Sequence, residues 1–239
     1  MQSLSGKRVL VTGASSGIGQ ATALLFAEAG AAVVATGRTA DGLAALARVE
    51  GPGSIKTVIG DLTDRRFLPE LVAAAEPIDI LVNNAGALKH APFLEADPAD
   101  WARVFEVNVQ VLLEVTQLVA RGMAQRRAGH IINISSMLAR RVAPSTTVYA
   151  ATKHAVAAIS LGLRHELRQF DIRITEVAPG VADTGVFRDL EDPEILARYA
   201  QAKFERLTPT QVAEAILFAS GTDRNACPDL IEIKPVGQE

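Results

Sequence analysis

Short apolar, β-branched runs alternate with longer helical patterns along most of the chain, and this alternation limits the fold more than any other feature. Strands that are apolar on both faces are typical of a parallel sheet that helices cover on both sides. Repeated strand-helix-strand units wind such a sheet in two halves. The pattern therefore predicts a doubly wound α/β fold, with strands at residues 8–12, 32–36, 54–59, 78–83, 129–134, 173–177 and 230–233.

Helices are predicted between these strands, near residues 17–29, 41–49, 65–75, 99–126, 147–170 and 210–221. The segment 183–207 departs from the alternation because it is polar, charged and only partly helical. A segment of this kind can serve as a lid over a site. The length of 239 residues suits one large α/β domain, and no linker divides it. We therefore expect a single domain over residues 1–239, with the lid at about 183–207.

Charge and cysteine content exclude several classes of function. The net charge is −3, which argues against a nucleic-acid binder that works through a broad basic surface. A single cysteine, Cys227, rules out an internal disulfide and fits a reducing cytoplasm, and the four histidines lack metal-ligand spacing. No run approaches the ~18 apolar residues of a membrane span, and no apolar signal segment precedes the first strand. We expect a cytoplasmic protein without a metal, a nucleic-acid partner or a membrane partner.

A glycine-rich segment, TGASSGIG, connects the first strand to the first helix. Gly13, Gly17 and Gly19 would allow a tight turn and let backbone amides approach a pyrophosphate, which the helix N-terminus also favours. Ser15 and Ser16 can donate hydroxyl hydrogen bonds. The segment therefore predicts a dinucleotide phosphate site; the alternative is a glycine-containing connection that binds no ligand.

The end of the second strand indicates which dinucleotide would bind. An acidic residue at this position would bind the ribose hydroxyls of NAD, whereas an arginine suits a 2′-phosphate. The chain has Gly37 at this position, followed by Arg38. The planar guanidinium offers several donors to a phosphate. We expect NADP(H) rather than NAD(H), unless Arg38 is only a solvated surface residue.

Tyr149 and Lys153 are spaced four residues apart in a predicted helix and so share one of its faces. A free phenol titrates near ~10 and is a poor acid-base catalyst at neutral pH. A nearby ammonium favours the phenolate and lowers that pKa. On its own the pair also fits two surface neighbours without a role.

Seven motifs follow one another in a fixed order along the chain. They are TGASSGIG, Asp61 in GDLTD, NNAG at residues 83–86, Asn108 in EVNV, ISS at 134–136, YAATK at 149–153 and PGVADT at 179–184. With these motifs the chain resembles the short-chain dehydrogenase/reductases over essentially its full length. The resemblance implies a Rossmann-like domain with a seven-stranded parallel sheet in the order 3-2-1-4-5-6-7.

The resemblance also implies catalytic roles. Ser136, thirteen residues before Tyr149, would hydrogen-bond the substrate oxygen. Tyr149 would exchange a proton with that oxygen, and Lys153 would lower the tyrosine pKa and hold the nicotinamide ribose. Asn108 would hold a water that links Lys153 to solvent. The nicotinamide would supply the hydride.

The implied cofactor contacts cover the whole dinucleotide. Asp61 and Leu62 would line the adenine site, and Asn84 to Gly86 would pass under the ribose. Backbone near Ala182 and the Thr184 hydroxyl would fix the carboxamide and the pyrophosphate. The full set is Gly13, Ser15, Ser16, Gly17, Ile18, Gly19, Arg38, Asp61, Leu62, Asn84, Ala85, Gly86, Tyr149, Lys153, Pro179, Gly180, Ala182 and Thr184.

Further segments resemble one branch of the family, the NADP-dependent 3-hydroxy acid and serine dehydrogenases: ARRVAP, YAATKHAV, LRHELRQFDIRITEVAPGVADT and IEIKPVGQE. This implies oxidation of a secondary alcohol or reduction of a ketone, with a 3-hydroxy acid as a candidate substrate. After the ISS motif the chain has Met137, Leu138 and Ala139 where a small residue and a glycine are common. We therefore expect a pocket that is more apolar than in hydroxy-acid enzymes. Arg141 or Arg188 could bind a substrate carboxylate, or either could be a solvated surface charge.

Other functions keep the fold but change the reaction. An NADP-binding redox sensor would often lack the tyrosine or the lysine, and this chain has both. An epimerase or isomerase could use the same pair with a tightly held cofactor, and a third alternative is a structural subunit of a larger synthase.

The predicted helices at 99–126 and 147–170 are rich in Ala, Val and Leu on more than one face. We expect these two helices to form the interface of a homo-oligomer, either a tetramer or a dimer.

Overall fold

The computed structural model of the protein describes residues 3–48, 51–184 and 204–238. Seven strands form one sheet in the order β3-β2-β1-β4-β5-β6-β7, with every neighbouring pair parallel. This confirms the predicted fold class and strand order. The strands are β1 (Arg8–Val11), β2 (Ala32–Gly37), β3 (Ser54–Ile59), β4 (Ile80–Asn83), β5 (Gly129–Ile134), β6 (Ile172–Pro179) and β7 (Leu230–Ile233).

Helices cover both faces of the sheet. On one face α1 and α7 pack around Phe26 and Ile216, and on the other α3 and α5 pack around Leu71 and Met123. Both layers are built mostly from aliphatic side chains, because the chain is only 5% aromatic. The described helices are α1 (Gly17–Glu28), α2 (Ala40–Ala44), α3 (Phe67–Ala75), α4 (Pro98–Phe105), α5 (Val111–Arg126), α6 (Thr147–Leu167) and α7 (Pro209–Ser220).

Side chains in the sequence set the starts of two helices. Asp97 caps α4, where its carboxylate accepts from the Ala99 N–H at 2.8 Å. Thr208 and Gln211 form a reciprocal capping box at the start of α7. Each cap is followed by a proline at the first helical position, where no N–H is needed.

The predicted helix 99–126 is interrupted in the structure. It consists of α4, a π-helical turn at Glu106–Gln110, and α5. A π turn adds one residue to the helical repeat and changes which side chain faces inward. Here it buries Asn108. The helix predicted at 41–49 is also shorter, since α2 ends at Ala44 and a 3-10 turn follows at Leu46–Arg48.

Most of the predicted lid, 183–207, lies outside the described residues, as does Arg188. The two ends of that segment meet. Ala182, the residue just before it, forms a parallel bridge with Leu207 at its end. The Asp183 N–H donates to the Leu207 carbonyl at 2.8 Å. Over the described ranges, no helix combines the length and apolarity needed to cross a membrane.

Candidate active site

One cleft of about 590 Å³ opens at the carboxyl ends of the strands. Ligands of doubly wound sheets bind at this edge. Almost all of the predicted cofactor and catalytic residues line the cleft, together with Thr63, Leu88, His90, Arg103, Val107, Leu138, Arg141, Val142, Ala143, Thr146 and Gln238. Two predicted residues, Gly19 and Asn108, are not among its lining residues.

The turn after β1 needs glycine at two positions. Gly13 and Gly17 have φ angles of 66° and 56°, in the left-handed region that other residues rarely adopt. A Cβ on Gly13 would lie 2.7 Å from the Ala85 Cα, and one on Gly17 would lie 3.0 Å from the Thr184 carbonyl oxygen. Ser16 is the N-cap residue of α1 but makes no side-chain capping bond. The first turn of α1 therefore faces the cleft without a side-chain cap, an arrangement that suits a phosphate.

Gly19 lies behind the wall of the cleft. A Cβ there would come within 2.4 Å of the Gly13 carbonyl oxygen and of the Asn84 amide nitrogen. That amide donates to the carbonyls of Thr12 (3.0 Å) and Gly13 (3.1 Å). The Thr12 hydroxyl accepts from the N–H groups of Asn84 and Ala85, both at 3.1 Å. Gly19 thus permits close packing of helix on strand, and Thr12 fastens the turn to the chain after β4.

The end of β2 has little room for a side chain at residue 37. A Cβ on Gly37 would lie 2.9 Å from both the Cβ and the hydroxyl oxygen of Ser15. An acidic residue there would require Ser15 to move. Arg38, the next residue, is exposed and lines the cleft. This corner of the cleft therefore carries a positive charge and no carboxylate on β2.

Asp61 and Leu62 line the neighbouring part of the cleft, after β3. The Asp61 carboxylate accepts from the Thr63 N–H (2.9 Å) and hydroxyl (2.8 Å), and Arg103 on α4 lies 3.4 Å away. Burial raises the pKa of Asp61, but the Thr63 hydrogen bonds and the Arg103 charge outweigh that effect and lower it. The sequence did not indicate Arg103, because its approach to Asp61 depends on how α4 packs.

Lys153 is buried at the other end of the cleft, with 6% of its surface exposed. Its ammonium donates to the Ile134 carbonyl at 2.9 Å and lies 5.6 Å from the centre of the Tyr149 ring. Burial lowers the pKa of Lys153 to about 8, and the charge of Glu176 opposes this change. The structure thus places a cation with a near-neutral pKa beside a phenol.

Ser136 also lines the cleft, two residues after Ile134, the end of β5 and the residue whose carbonyl Lys153 binds. It is the N-cap of a 3-10 turn, Met137–Ala139, and its hydroxyl oxygen accepts from the Leu138 N–H at 3.1 Å. Among the described residues no acceptor takes its hydroxyl proton. Ser136 can therefore donate to a ligand in the cleft that also contacts Tyr149.

Asn108 supports this end of the cleft from behind. Its side chain accepts from the Ala87 N–H (2.7 Å) and donates to the Ala87 carbonyl (2.9 Å) and the Thr152 hydroxyl (3.0 Å). A Cβ built on Gly86 would be 3.5 Å from the Asn108 side-chain oxygen and 3.9 Å from the Lys153 nitrogen. Asn108 thus ties the NNAG segment to α6 and lies near Lys153.

The remaining walls of the cleft mix apolar and polar groups. Leu138 and Val142 line it beside Arg141, which is exposed and forms no ion pair with the described residues. His90 contributes a buried imidazole. Gln238 accepts from the Val181 N–H at 2.9 Å. Sequence reasoning missed His90 and Gln238, and no local signal marked Gln238, because the C-terminal residues reach the cleft only through the tertiary fold.

The strand order, the glycine turn and the Tyr149–Lys153 pair define a dinucleotide-binding α/β protein. Comparison with known proteins makes this more specific, because the model of the short chain dehydrogenase family matches residues 7–195. The chain belongs to this family, whose members are oxidoreductases that act on CH–OH groups with NAD(P).

Similar proteins cover nearly the whole chain. An uncharacterized oxidoreductase of Staphylococcus aureus (strain N315) is 34% identical over 240 residues, covering 99% of this chain and 100% of the relative. A 3-oxoacyl-[acyl-carrier-protein] reductase of Thermotoga maritima is 36% identical, with 92% of each chain covered. The closed form of serine dehydrogenase complexed with NADP+ superposes with a TM-score of 0.85 at 33% identity, covering 94% of this chain and 93% of that one.

Proposed function

We propose that the protein is an NADP-dependent oxidoreductase that interconverts a secondary alcohol and a ketone, with Tyr149 as its acid-base group. The observation that carries this proposal is the buried Lys153 ammonium, 5.6 Å from the Tyr149 ring centre. The pair lies in the same cleft as Ser136 and the glycine turn after β1. One cleft therefore offers both a phosphate cradle and a proton-transfer group.

The cradle fits the cofactor that the family uses. The N-terminus of α1 and the glycines at 13 and 17 would hold the pyrophosphate, and Asp61 and Leu62 would lie at the adenine. Residues 84–86 would lie at the ribose, and Ala182 and Thr184 at the pyrophosphate and carboxamide. When bound, the nicotinamide supplies or accepts the hydride.

Two features support NADP over NAD. The end of β2 has Gly37 in place of the carboxylate that would select NAD, and Arg38 offers a guanidinium to a 2′-phosphate. The similar serine dehydrogenase was solved in complex with NADP+.

The reaction would use three side chains, of which two contact the substrate oxygen. In the direction of reduction, Tyr149 donates its phenolic proton to the carbonyl oxygen, and in oxidation it takes the proton back. The Lys153 ammonium stabilises the phenolate that forms. The Ser136 hydroxyl donates a hydrogen bond to the same oxygen and stabilises its developing charge. Asn108 holds the NNAG segment and, through a water, would connect Lys153 to solvent.

We propose a 3-hydroxy acid or a related small hydroxy compound as substrate. Arg141 lines the cleft without an ion pair to any residue that the structure describes, and its guanidinium could bind a carboxylate bidentately. The resemblance to serine dehydrogenase points in the same direction. Leu138 and Val142 add apolar surface beside Arg141, so the substrate should carry an alkyl portion as well.

A redox sensor and an epimerase remain the alternative functions. A sensor would not need the complete set of Ser136, Tyr149 and Lys153 in one cleft. An epimerase would use the same groups but would show no net oxidation of cofactor during turnover.

We further propose a homo-oligomer, a tetramer or a dimer, because Phe105, Leu113 and Leu161 expose 44%, 41% and 53% of their surfaces on the helices that would form the interface.

The test follows loss of NADPH absorbance with acetoacetate and with neutral ethyl acetoacetate, and gain of absorbance with NADP+ and 3-hydroxybutyrate or serine. Tyr149→Phe is the matched control, because it keeps the ring and removes the phenolic proton. We expect turnover by the wild type and none above background by the variant. Equal turnover by both would refute the proposed role of Tyr149.

A further inference from the structure

Glu176 on β6 is a buried acidic side chain that the proposed reaction does not use. Only 5% of its surface is exposed. It lies on the same face of the sheet as Ile174, which is the face that α5 and α6 cover. A buried carboxylate is costly unless hydrogen bonds and an opposite charge compensate it. Its partners therefore show what it holds in place.

Those partners flank the catalytic serine on both sides. The Ser135 hydroxyl donates to one Glu176 oxygen. Arg140 donates to both oxygens, at 3.0 and 2.9 Å, in a bidentate pair. Ser135 immediately precedes Ser136, and Arg140 immediately follows the 3-10 turn that Ser136 caps.

We propose that Glu176 and Arg140 are positioning residues that clamp the segment 135–140 at both ends and so fix the direction of the Ser136 hydroxyl. The proposal rests on the proposed contact of Ser136 with the substrate oxygen. A planar guanidinium that meets both carboxylate oxygens fixes orientation as well as distance.

Further contacts anchor the clamp to the surrounding elements. The Arg140 Nε lies 3.3 Å from Glu232 on β7, which attaches the clamp to the next strand. On the other side, the Lys153 ammonium donates to the carbonyl of Ile134, next to Ser135. The segment that carries Ser136 is thereby connected to β6, β7 and α6.

Arg140→Lys tests the clamp, because lysine keeps the charge and loses the bidentate geometry. The kcat for ketone reduction is measured for Arg140→Lys in the wild-type protein and in Ser136→Ala, together with NADPH affinity and melting temperature. We expect kcat to fall about 10- to 100-fold in the wild-type background, a loss typical of a misplaced reacting group. In Ser136→Ala the same change should cost less than about 2-fold, because residues that act through one group are not additive.

Arg164→Lys is the matched control. Arg164 reaches from α6 to β6, where it donates to the Ile174 carbonyl, and it pairs with Asp229 at 2.9 Å. Its bonds to described residues do not involve the segment 135–140. It should leave kcat unchanged. If Arg140→Lys melts below the assay temperature, Arg140→Gln, which keeps an N–H donor, is measured in the same two backgrounds.

The outcomes separate the clamp from the proposed function. An unchanged kcat in a folded Arg140→Lys protein, or an equal loss in both backgrounds, would overturn the clamp while Ser136→Ala still shows the role of Ser136. An unchanged kcat in Ser136→Ala alone would refute the role of Ser136 itself, and the clamp with it.

Discussion

Replacing Arg38 by Met should remove most of the discrimination between NADPH and NADH. Methionine keeps a similar length and loses the charge, so the 2′-phosphate would lose its guanidinium partner. Arg38 is exposed, so solvent screens its charge. A hydrogen bond to a charged group contributes about 1.5–3 kcal/mol, which corresponds to about 10- to 150-fold in the Kd of NADPH. The Kd of NADH should change less than about 2-fold, because NADH has no 2′-phosphate.

Arg103→Met provides the control for this experiment. Arg103 lines the same cleft, but its guanidinium is engaged by Asp61, Thr63 and Glu106. Its loss should weaken both cofactors to a similar degree and leave their ratio unchanged. The assay is a fluorescence titration of each variant with NADPH and with NADH at one fixed ionic strength, because salt screens exposed charges.

The ratio of the NADPH and NADH dissociation constants shows whether Arg38 recognises the 2′-phosphate. If Arg38→Met weakens NADPH and NADH in parallel, Arg38 does not recognise the 2′-phosphate. If Arg103→Met changes the ratio instead, the phosphate lies nearer to Asp61, and the inference drawn from the end of β2 is wrong.

Three further predictions concern buried polar groups. Because Glu176 raises the pKa of Lys153, which burial lowers to about 8, Glu176→Gln should move the basic limb of the pH profile for ketone reduction to lower pH; a shift to higher pH would contradict this. Burial lowers the pKa of His130 from 6.5 to about 3, so the unfolded chain binds the extra proton between these values and stability should fall as the pH drops through this window. The slope should approach about 1.4 kcal/mol per pH unit and flatten in His130→Asn, as measured by urea unfolding at several pH values; equal slopes would refute it. Asn108→Ala removes the hydrogen bonds to Ala87 and Thr152. It should lower the free energy of unfolding by about 2–4 kcal/mol and should also lower kcat. If urea unfolding or steady-state kinetics shows either quantity unchanged, this prediction is wrong.

The sequence predicted the frame of the site well because that frame depends on local backbone demands. Gly13 and Gly17 occupy positions with positive φ, where glycine is the residue of choice, and such positions are visible as a spacing between a strand and a helix. The strand order likewise came from motifs in a fixed order along the chain, and the structure confirms it.

Features that depend on packing were not visible in the sequence. A regular 3.6-residue pattern across 99–126 could not show the one-residue insertion that buries Asn108. Nothing near Arg103 in sequence indicates that it reaches Asp61. The same holds for the pairing of Arg140 with Glu176, 36 residues away. Gly19 matched the motif, yet its place is behind the cleft, where it allows α1 to approach the turn.

The most direct test of the account is isotope transfer from NADPH deuterated at the transferable position of the nicotinamide. The protein is incubated with this cofactor and a reducible β-keto ester, and the alcohol product is analysed by mass spectrometry and NMR. The account predicts one deuterium on the carbinol carbon for each cofactor oxidised, and no product with Tyr149→Phe. Cofactor oxidation without label in the product, or conversion of substrate without cofactor oxidation, would contradict it.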